Sequence, residues 1–343
     1  TSNLIHSIHF DEPLELECGG VLPGVTVAYS TFGTMSPERD NVIWVCHAQT
    51  ANSDVPDWWA HTVEKGRFLD PERYFVVCAN ILGSPYGTTC PMSINPATGE
   101  PWYGSFPHIT IRDMVHCHMR LARHLGIDHV EMLIGSSMGG YQCMEWTIME
   151  PAFTRRLALI ATCDRQMPWA IAFSESQRMA IRADQSWGEP RPDAAAAGLA
   201  AARSVAMLSF RGREAYNISQ DDPDRDTKTG DYRVSSYQRY QGKKLANRFD
   251  AYSYTTLLNG TDSHNVARGR GSVQQALSAI TAPTLIVAIT TDNLFSIEGH
   301  GNLIKYIPNN QLHIIESDYG HDGFLVEHNQ LNDIITTFYN ETV

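Results

Sequence analysis

The sequence lacks a long apolar segment, an excess of positive charge and any Cys-x-x-Cys pair. No apolar run in its 343 residues approaches the roughly 18 residues of a membrane span, and the first residues lack the basic and apolar regions of a signal peptide. The formal net charge of −12 argues against a nucleic-acid partner, which would bind a basic face. The seven cysteines are an odd set without metal-binding spacing, so we expect reduced thiols in a cytoplasmic protein.

One serine stands at a break between a strand-like and a helix-like segment. The apolar run at 130–134 is interrupted by Gly135-Ser-Ser-Met-Gly139, the spacing of a nucleophile elbow, in which a serine sits on a sharp strand-to-helix turn. The pentapeptide alone should occur by chance in about one chain in ten of this length. The sequence context supports a nucleophile elbow, because residues 141–150 can form the required helix. Ser137 is therefore the candidate nucleophile.

Short apolar runs predict an α/β fold with a mostly parallel central sheet flanked by helices. The predicted strands are Val42–Cys46, Tyr74–Cys78, Val130–Ile134, Leu157–Thr162, Pro283–Ile289 and Leu312–Ile315. Residues 23–33 alternate apolar and polar, which predicts an edge strand paired with the region around Leu14. Residues 165–280 are polar and helical in pattern, so we expect a helical lid inserted into a core domain of residues 1–164 and 281–343.

A serine nucleophile needs a base to take its proton and an acid to orient that base. In α/β-hydrolases the acid and then the histidine follow the serine, each on a loop after a late strand. Asp292 and His321 occupy those places. Asp318 is too near His321 in sequence to reach round it, and Asp262 lies in the predicted lid, so Asp292 is preferred.

Two backbone N–H groups are the candidate oxyanion hole. One belongs to Met138, directly after the nucleophile, and the other to Gln49, in the loop after an early strand. A metal site is not expected. His116 and His118 are separated by about 200° on a helix and cannot share an ion, so we expect them to face solvent or cap the helix.

Several motifs occur together in one order along nearly the whole chain. They are Arg73-Tyr-Phe-Val-Val-Cys-Ala-Asn-Ile-Leu-Gly83, Ser93-Ile-Asn-Pro-Ala-Thr-Gly99, Thr110-Ile-Arg-Asp113, Ser137-Met-Gly-Gly140, Asn247-Arg-Phe-Asp-Ala-Tyr252, Asp292-Asn-Leu-Phe295 and Gly320-His-Asp-Gly-Phe-Leu325. In this combination the chain resembles the homoserine O-acetyltransferase family, acyl-CoA-dependent enzymes of the α/β-hydrolase fold.

The resemblance implies a ping-pong transfer that serves methionine biosynthesis. Acetyl-CoA acylates Ser137, CoA leaves, and the hydroxyl of homoserine takes the acetyl group with His321 as base. Arg203 matches a lid arginine that holds the substrate carboxylate, and Asp322 matches an acid that holds the amino group. The family likeness further implies a homodimer formed through the lid, small-molecule substrates only, and no cofactor beyond acetyl-CoA as the acyl donor.

The chain departs from the family pattern at several motif residues. It has His47-Ala-Gln-Thr-Ala51 where His-Ala-Leu-Thr-Gly is usual, which puts the amide of Gln49 near the acyl pocket. Phe210 replaces a tyrosine that resembles a substrate hydrogen-bond donor, and Thr50 and Phe210 are further candidate substrate-binding residues. Succinyl transfer and transfer to serine or deacetylcephalosporin C therefore stay open. From another class, a carboxylic ester hydrolase with the same triad stays open as well. The intact Ser137, Asp292 and His321 argue against a catalytically silent binding protein.

A basic cluster in the lid is a candidate contact for the CoA phosphates. It consists of Lys243, Lys244 and Arg248. A solvated basic patch is the preferred interpretation of this cluster.

Overall fold

The computed structural model describes residues 5–342 and forms ten β-strands within them. In chain order they are β1 (His6–Phe10), β2 (Leu14–Glu15), β3 (Val21–Leu22), β4 (Val25–Phe32), β5 (Val42–Cys46), β6 (Phe75–Ala79), β7 (Met132–Ser136), β8 (Leu157–Ile160), β9 (Thr284–Ile289) and β10 (Asn310–Ile315). The six predicted strands therefore all exist, with bounds shifted by a few residues.

Twelve α-helices and three short 3₁₀ helices accompany these strands within the described range. The α-helices are α1 (Val55–Trp58), α2 (Ile111–His124), α3 (Met138–Met149), α4 (Pro168–Arg182), α5 (Ala196–Phe210), α6 (Arg213–Ser219), α7 (Arg233–Ala246), α8 (Ala251–Asp262), α9 (Val273–Ser278), α10 (Gly301–Tyr306), α11 (Gly323–Val326) and α12 (His328–Glu341). The 3₁₀ helices are Tyr103–Ser105, Ile297–His300 and Gly320–Asp322. None of the helices between residues 5 and 342 combines the length and apolar character needed to cross a bilayer.

Eight strands form one sheet in the order β1-β4-β6-β5-β7-β8-β9-β10. The six strands from β6 to β10 run parallel, whereas β4 is antiparallel to both of its neighbours. The predicted pairing of β4 with the region around Leu14 is wrong, because that region pairs with β3 in a separate two-stranded sheet. Strand β4 lies inside the large sheet, so its alternating pattern does not mark an edge.

The apolar runs are continuous because the parallel strands are covered on both faces. In β5, Trp44 points into the cluster beneath α2 and α3, where its ring centroid lies 5.1 Å from that of Trp146. The neighbouring Val45 points into the opposite cluster, which includes Trp59 and Phe338. This packing fixes the ends of the parallel strands, where the candidate site lies.

Helices α4 to α9 lie between β8 and β9, in the segment for which a helical insertion was expected. The central helix α5 packs against α4, α7 and α8. A bridge between Arg165 and Asn265 joins the start of this segment to the loop between α8 and α9. The division of the chain into a core and a lid domain stays a prediction.

A buried ionic cluster ties this segment to the sheet-flanking helices. The Glu145 carboxylate on α3 is 1% exposed, and it accepts hydrogen bonds from Arg112 Nε at 3.0 Å and Arg270 Nη2 at 2.6 Å. Arg112 also donates to Glu17 at 2.9 Å. Breaking a buried charge pair is costly because the remaining charges stay desolvated.

We therefore expect Glu145→Gln to lower the free energy of unfolding by about 3 kcal/mol or more. Urea titration followed by circular dichroism measures this loss. The matched control is Glu150→Gln, since Glu150 ends the same helix but pairs with an exposed Arg123. That control should lose less than about 1 kcal/mol. Equal losses in the two variants would contradict the role given to the buried cluster.

Candidate active site

Ser137 occupies the sharp turn between β7 and α3. Its backbone has φ 54° and ψ −125°, a left-handed conformation that a non-glycine residue adopts at a cost. The turn is held by a hydrogen bond from Ser137 N–H to the Ile160 carbonyl at 2.9 Å, and the Ser137 carbonyl accepts from Thr162 Oγ1 at 2.9 Å. The sequence motif thus has the strand, turn and helix that a nucleophile elbow requires.

The flanking glycines are needed because backbone approaches too closely for a side chain. A Cβ on Gly135 would lie 2.3 Å from the Gly139 carbonyl oxygen, and a Cβ on Gly139 would lie 2.0 Å from the Cys46 carbonyl oxygen. Both distances are far below van der Waals contact. The two glycines therefore let the turn fold tightly beneath Ser137.

Asp292 and His321 form a buried acid–base pair after β9 and β10. His321 Nδ1 lies 2.8 Å from Asp292 Oδ2. The other carboxylate oxygen, Oδ1, accepts two backbone N–H bonds of 2.8 Å, from Leu294 and Phe295. The carboxylate is therefore fixed in orientation, and it selects the histidine tautomer that carries its proton on Nδ1.

The electrostatics of the pair suit a general base. Burial acts to lower the pKa of His321, but the charge of Asp292 and its hydrogen bond outweigh this, so the pKa is raised above its ordinary value. An imidazolium formed during proton transfer is stabilised by the same carboxylate.

Ser137 and His321 line one cavity of about 180 Å³. The hydrogen bonds within residues 5–342 include none between the two side chains. Nucleophile–base bonds are often long in empty sites and tighten when substrate binds. The predicted residues Gln49, Thr50, Met138, Arg203, Phe210 and Asp322 line the same cavity.

The backbone N–H groups of Gln49 and Met138 are both available to a ligand. Neither has an acceptor among the described residues, and the N–H of Met138 opens helix α3, where the helix dipole favours negative charge. Two hydrogen bonds stabilise the loop that carries Gln49. Gln142 Nε2 donates to the His47 carbonyl at 3.1 Å, and His47 Nδ1 pairs with the Ala48 carbonyl at 2.8 Å.

The support that Gln142 gives to this loop was not predicted from the sequence. Gln142 is a polar residue between Tyr141 and Cys143 in the sequence of α3, and this was the signal that could have revealed it. Its Oε1 lies 2.8 Å from His118 Nε2. The expectation that His118 faces solvent or caps the helix is wrong, because this side chain is buried. Burial lowers the pKa of His118 to about 4, so the ring is neutral.

Arg203 lines the cavity from helix α5. Its Nη1 is buried and has no hydrogen-bond partner in the part of the chain that the structure describes. Its guanidinium carbon lies 5.3 Å from the ring centroid of Phe210. A buried guanidinium nitrogen without an acceptor is costly, and a carboxylate is its natural partner.

Asp322 also lines the cavity, and its Oδ2 accepts a hydrogen bond of 3.0 Å from Arg211 Nε. Burial raises the pKa of Asp322, and the charge of Arg211 opposes this rise. Any ligand ammonium that binds Asp322 would therefore share the carboxylate with Arg211.

The structure also shows where the rival acids and the basic cluster lie. Asp262 pairs with Arg178 at 2.7 Å, and Asp318 is exposed. Of the basic cluster, Arg248 lines the cavity whereas Lys243 and Lys244 do not. Within residues 5–342, no cluster of three or more His, Cys, Asp or Glu side chains could hold a metal ion.

The chain is similar over most of its length to proteins of known fold and activity. The family model for the alpha/beta hydrolase fold matches residues 41–328. A homoserine O-acetyltransferase of Cyclobacterium marinum is 41% identical over 330 residues, covering 96% of this chain and 93% of the relative. The solved homoserine O-acetyltransferase of Bacillus anthracis superposes with a TM-score of 0.88 at 23% identity, covering 99% and 98% of the two chains. The solved esterase E22 superposes with a TM-score of 0.87 at 22% identity, covering 98% and 100%.

Proposed function

The chain belongs to the homoserine O-acetyltransferase family and has the α/β-hydrolase fold predicted from its sequence; from this premise we propose that it moves an acetyl group from acetyl-CoA to the hydroxyl of L-homoserine. The product, O-acetylhomoserine, would serve methionine biosynthesis. The acyl donor is a substrate, and no further cofactor takes part. The proposal assigns catalysis to Ser137, Asp292 and His321.

The first half-reaction acylates the enzyme. Ser137 Oγ attacks the thioester carbonyl while His321 Nε2 takes the serine proton, and the N–H groups of Gln49 and Met138 stabilise the oxyanion. The carbon–sulfur bond then breaks, and the proton on His321 passes to the departing thiolate. An acetyl ester on Ser137 remains.

The second half-reaction repeats this chemistry with homoserine. His321 takes the proton of the homoserine hydroxyl, whose oxygen attacks the acetyl carbonyl carbon. The bond between Ser137 Oγ and that carbon then breaks, and the proton on His321 passes to Ser137 Oγ. Arg203 holds the homoserine carboxylate, and Asp322 attracts the amino group. Positioning the acceptor matters, because water would otherwise hydrolyse the acyl-serine.

The observation that carries this proposal is the unpartnered guanidinium nitrogen of Arg203 in the cavity that Ser137 lines. A hydrolase of simple esters has no use for a carboxylate-binding arginine beside its nucleophile. An enzyme that must hold an amino-acid acceptor has a direct use for it. The observation therefore favours transfer over hydrolysis.

CoA release from acetyl-CoA, measured with a thiol reagent with and without L-homoserine, tests the proposal. Release that depends on homoserine and yields O-acetylhomoserine supports it. Equal release without an acceptor would identify a hydrolase, and no release with acetyl-CoA would refute acetyl transfer. L-Serine and deacetylcephalosporin C as acceptors, and succinyl-CoA as donor, complete the comparison.

Arg203→Ala should raise the KM for homoserine by about 10- to 100-fold, because a charge-assisted pair with the carboxylate is lost. The KM for acetyl-CoA should change by less than about 3-fold. Steady-state kinetics with each substrate varied in turn measure both constants. Arg213→Ala is the control, since Arg213 is exposed on the neighbouring helix α6. Equal rises in both constants would remove the role assigned to Arg203.

The proposed enzyme is a cytoplasmic homodimer joined through its lid. All seven cysteines are free, as expected in a reducing compartment. Large apolar side chains are exposed on the lid helices, and a dimer would cover them. They include Trp169, Met179, Leu208, Ile218 and Tyr240. Sedimentation equilibrium tests the dimer, and a monomer at micromolar concentration would contradict it.

A further inference from the structure

The two N–H groups of the proposed oxyanion hole each share a peptide unit with a carbonyl. The N–H of Met138 belongs to the same planar unit as the Ser137 carbonyl, and the N–H of Gln49 belongs to the unit of the Ala48 carbonyl. Both units are trans, so the N–H and the C=O of each point in opposite directions. A group that holds the carbonyl oxygen therefore also fixes the direction of the N–H.

A buried hydroxyl holds the carbonyl of the first unit. Thr162 is fully buried and follows β8, the strand next to β7 in the sheet. Its Oγ1 donates to the Ser137 carbonyl oxygen at 2.9 Å, and the backbone N–H of Gly140 donates to the same oxygen at 2.9 Å. The plane of this peptide unit cannot rotate without breaking a buried hydrogen bond, which is costly.

A histidine ring holds the carbonyl of the second unit. His47 is fully buried, and its Nδ1 lies 2.8 Å from the Ala48 carbonyl oxygen. Burial lowers the pKa of His47 to about 4, so the ring is neutral and carries one proton. The N–H of Ile81 donates to its Nε2 at 3.3 Å, so that proton lies on Nδ1 and is donated to the carbonyl.

Gln142 joins the two segments that carry these peptide units. Its Nε2 donates to the His47 carbonyl at 3.1 Å and to the Met138 carbonyl at 3.2 Å. Its Oε1 lies 2.8 Å from Nε2 of the buried His118, which donates to it. Both ends of the amide have partners, so exchanging them would set an oxygen against two carbonyls. The spacing between the loop after β5 and the first turn of α3 is therefore fixed as well.

We propose that Thr162 and His47 are positioning residues for catalysis, each of which orients one N–H of the oxyanion hole by holding the carbonyl of the same peptide unit. The inference rests on the proposed acylation of Ser137 and adds to the residues on which its rate depends. A hydrogen bond to the carbonyl also polarises the peptide unit, which makes its N–H a stronger donor. Both effects favour the charge that develops in the transition state.

Thr162→Val tests the first positioning residue, because it removes the hydroxyl and keeps the shape of the side chain. Thr162→Ser keeps the hydroxyl. Acylation is followed as nitrophenol release from p-nitrophenyl acetate, which needs neither CoA nor homoserine. We expect Thr162→Val to lower kcat/KM by about 10-fold and Thr162→Ser to stay within about 3-fold of the unaltered enzyme.

Thr147→Val is the matched control. Thr147 lies on α3 and is fully buried, and its hydroxyl has no hydrogen-bond partner among the described residues. The substitution is the same, but no peptide unit of the oxyanion hole depends on this hydroxyl. We expect kcat/KM within about 3-fold of the unaltered value.

His47→Phe tests the second positioning residue, because it keeps a ring and removes the Nδ1 donor. It should lower kcat/KM by about 10-fold or more. His47→Asn returns an N–H close to the position of Nδ1 and should recover at least about 3-fold of this loss. Thermal melting identifies any variant that fails to fold, and the other pair of variants then carries the test.

Inhibition by methylboronic acid separates positioning from a general loss of structure. Its boron binds Ser137 Oγ while the serine proton passes to His321, and the anionic adduct places an oxygen in the oxyanion hole. The inhibition constant should rise in Thr162→Val and His47→Phe by about the factor by which kcat/KM falls. The dissociation constant of CoA, measured by calorimetry, should change by less than about 3-fold.

Equal losses of kcat/KM in Thr162→Val and Thr162→Ser would overturn this inference, as would a loss in Thr162→Val no larger than that in Thr147→Val. Lower turnover with unchanged inhibition by methylboronic acid would also overturn it. If the unaltered enzyme cleaves the ester but not acetyl-CoA, the proposed function is refuted, and the variants still decide this inference. If the unaltered enzyme neither cleaves the ester nor binds the boronic acid, both are refuted together.

Discussion

Ser137→Ala is expected to reduce homoserine-dependent CoA release by about 10⁴-fold or more, because no acyl-enzyme can form without the hydroxyl. Alanine keeps the Cβ, so the strained turn between β7 and α3 is retained. Release of CoA from acetyl-CoA, followed by a thiol reagent, measures the loss. Unchanged thermal melting would show that the fold survives the substitution.

The neighbouring serine provides a matched control. Ser136 is the last residue of β7, is fully buried, and has an Oγ without a hydrogen-bond partner among the described residues. Ser136→Ala removes this unused hydroxyl one residue from the turn. We expect CoA release within about 3-fold of the unaltered rate. Comparable losses in the two variants would mean that the chemistry does not depend on Ser137.

Asp292→Asn should lower kcat by about 10⁴-fold while leaving the shape of the site intact. The N–H groups of Leu294 and Phe295 donate to one carboxylate oxygen, so they will hold the amide oxygen there. The amide NH₂ is then directed at His321 Nδ1. That arrangement forces the histidine proton onto Nε2, which can no longer accept the proton of Ser137.

The pH dependence provides a second readout of the same pair. The base must be neutral to act, so kcat/KM should rise with pH through the raised pKa of His321, above the ordinary value of 6.5. Asp292→Asn removes the charge that raises this pKa, so the rise should move to lower pH. Asp318→Asn is the control, because Asp318 is exposed. A rise at the same pH in both variants would exclude Asp292 as the partner of His321.

Elements whose determinants are local in sequence could be predicted well. The strands of the parallel sheet are continuous apolar runs because both faces are covered, and β9 extends over Thr284–Ile289 within the predicted segment. The elbow depends on five consecutive residues. The order of Ser137, Asp292 and His321 along the chain was enough to place acid and base on the loops where the structure has them.

Features that depend on partners distant in sequence were missed. The alternating pattern of β4 does not reveal which strands pair with it, and its neighbours are β1 and β6. His118 is buried because Gln142 supplies a hydrogen bond that helix geometry alone does not predict. The ion pair of Asp322 with Arg211 likewise forms only when the C-terminal end of helix α5 meets the loop after β10.

Mass spectrometry of the protein mixed with acetyl-CoA alone tests the central claim most directly. The account predicts one added acetyl group, located on the peptide that contains Ser137, which disappears on addition of L-homoserine as O-acetylhomoserine forms. An acetyl group found on another residue, or one that persists at Ser137 in the presence of homoserine, would contradict the account.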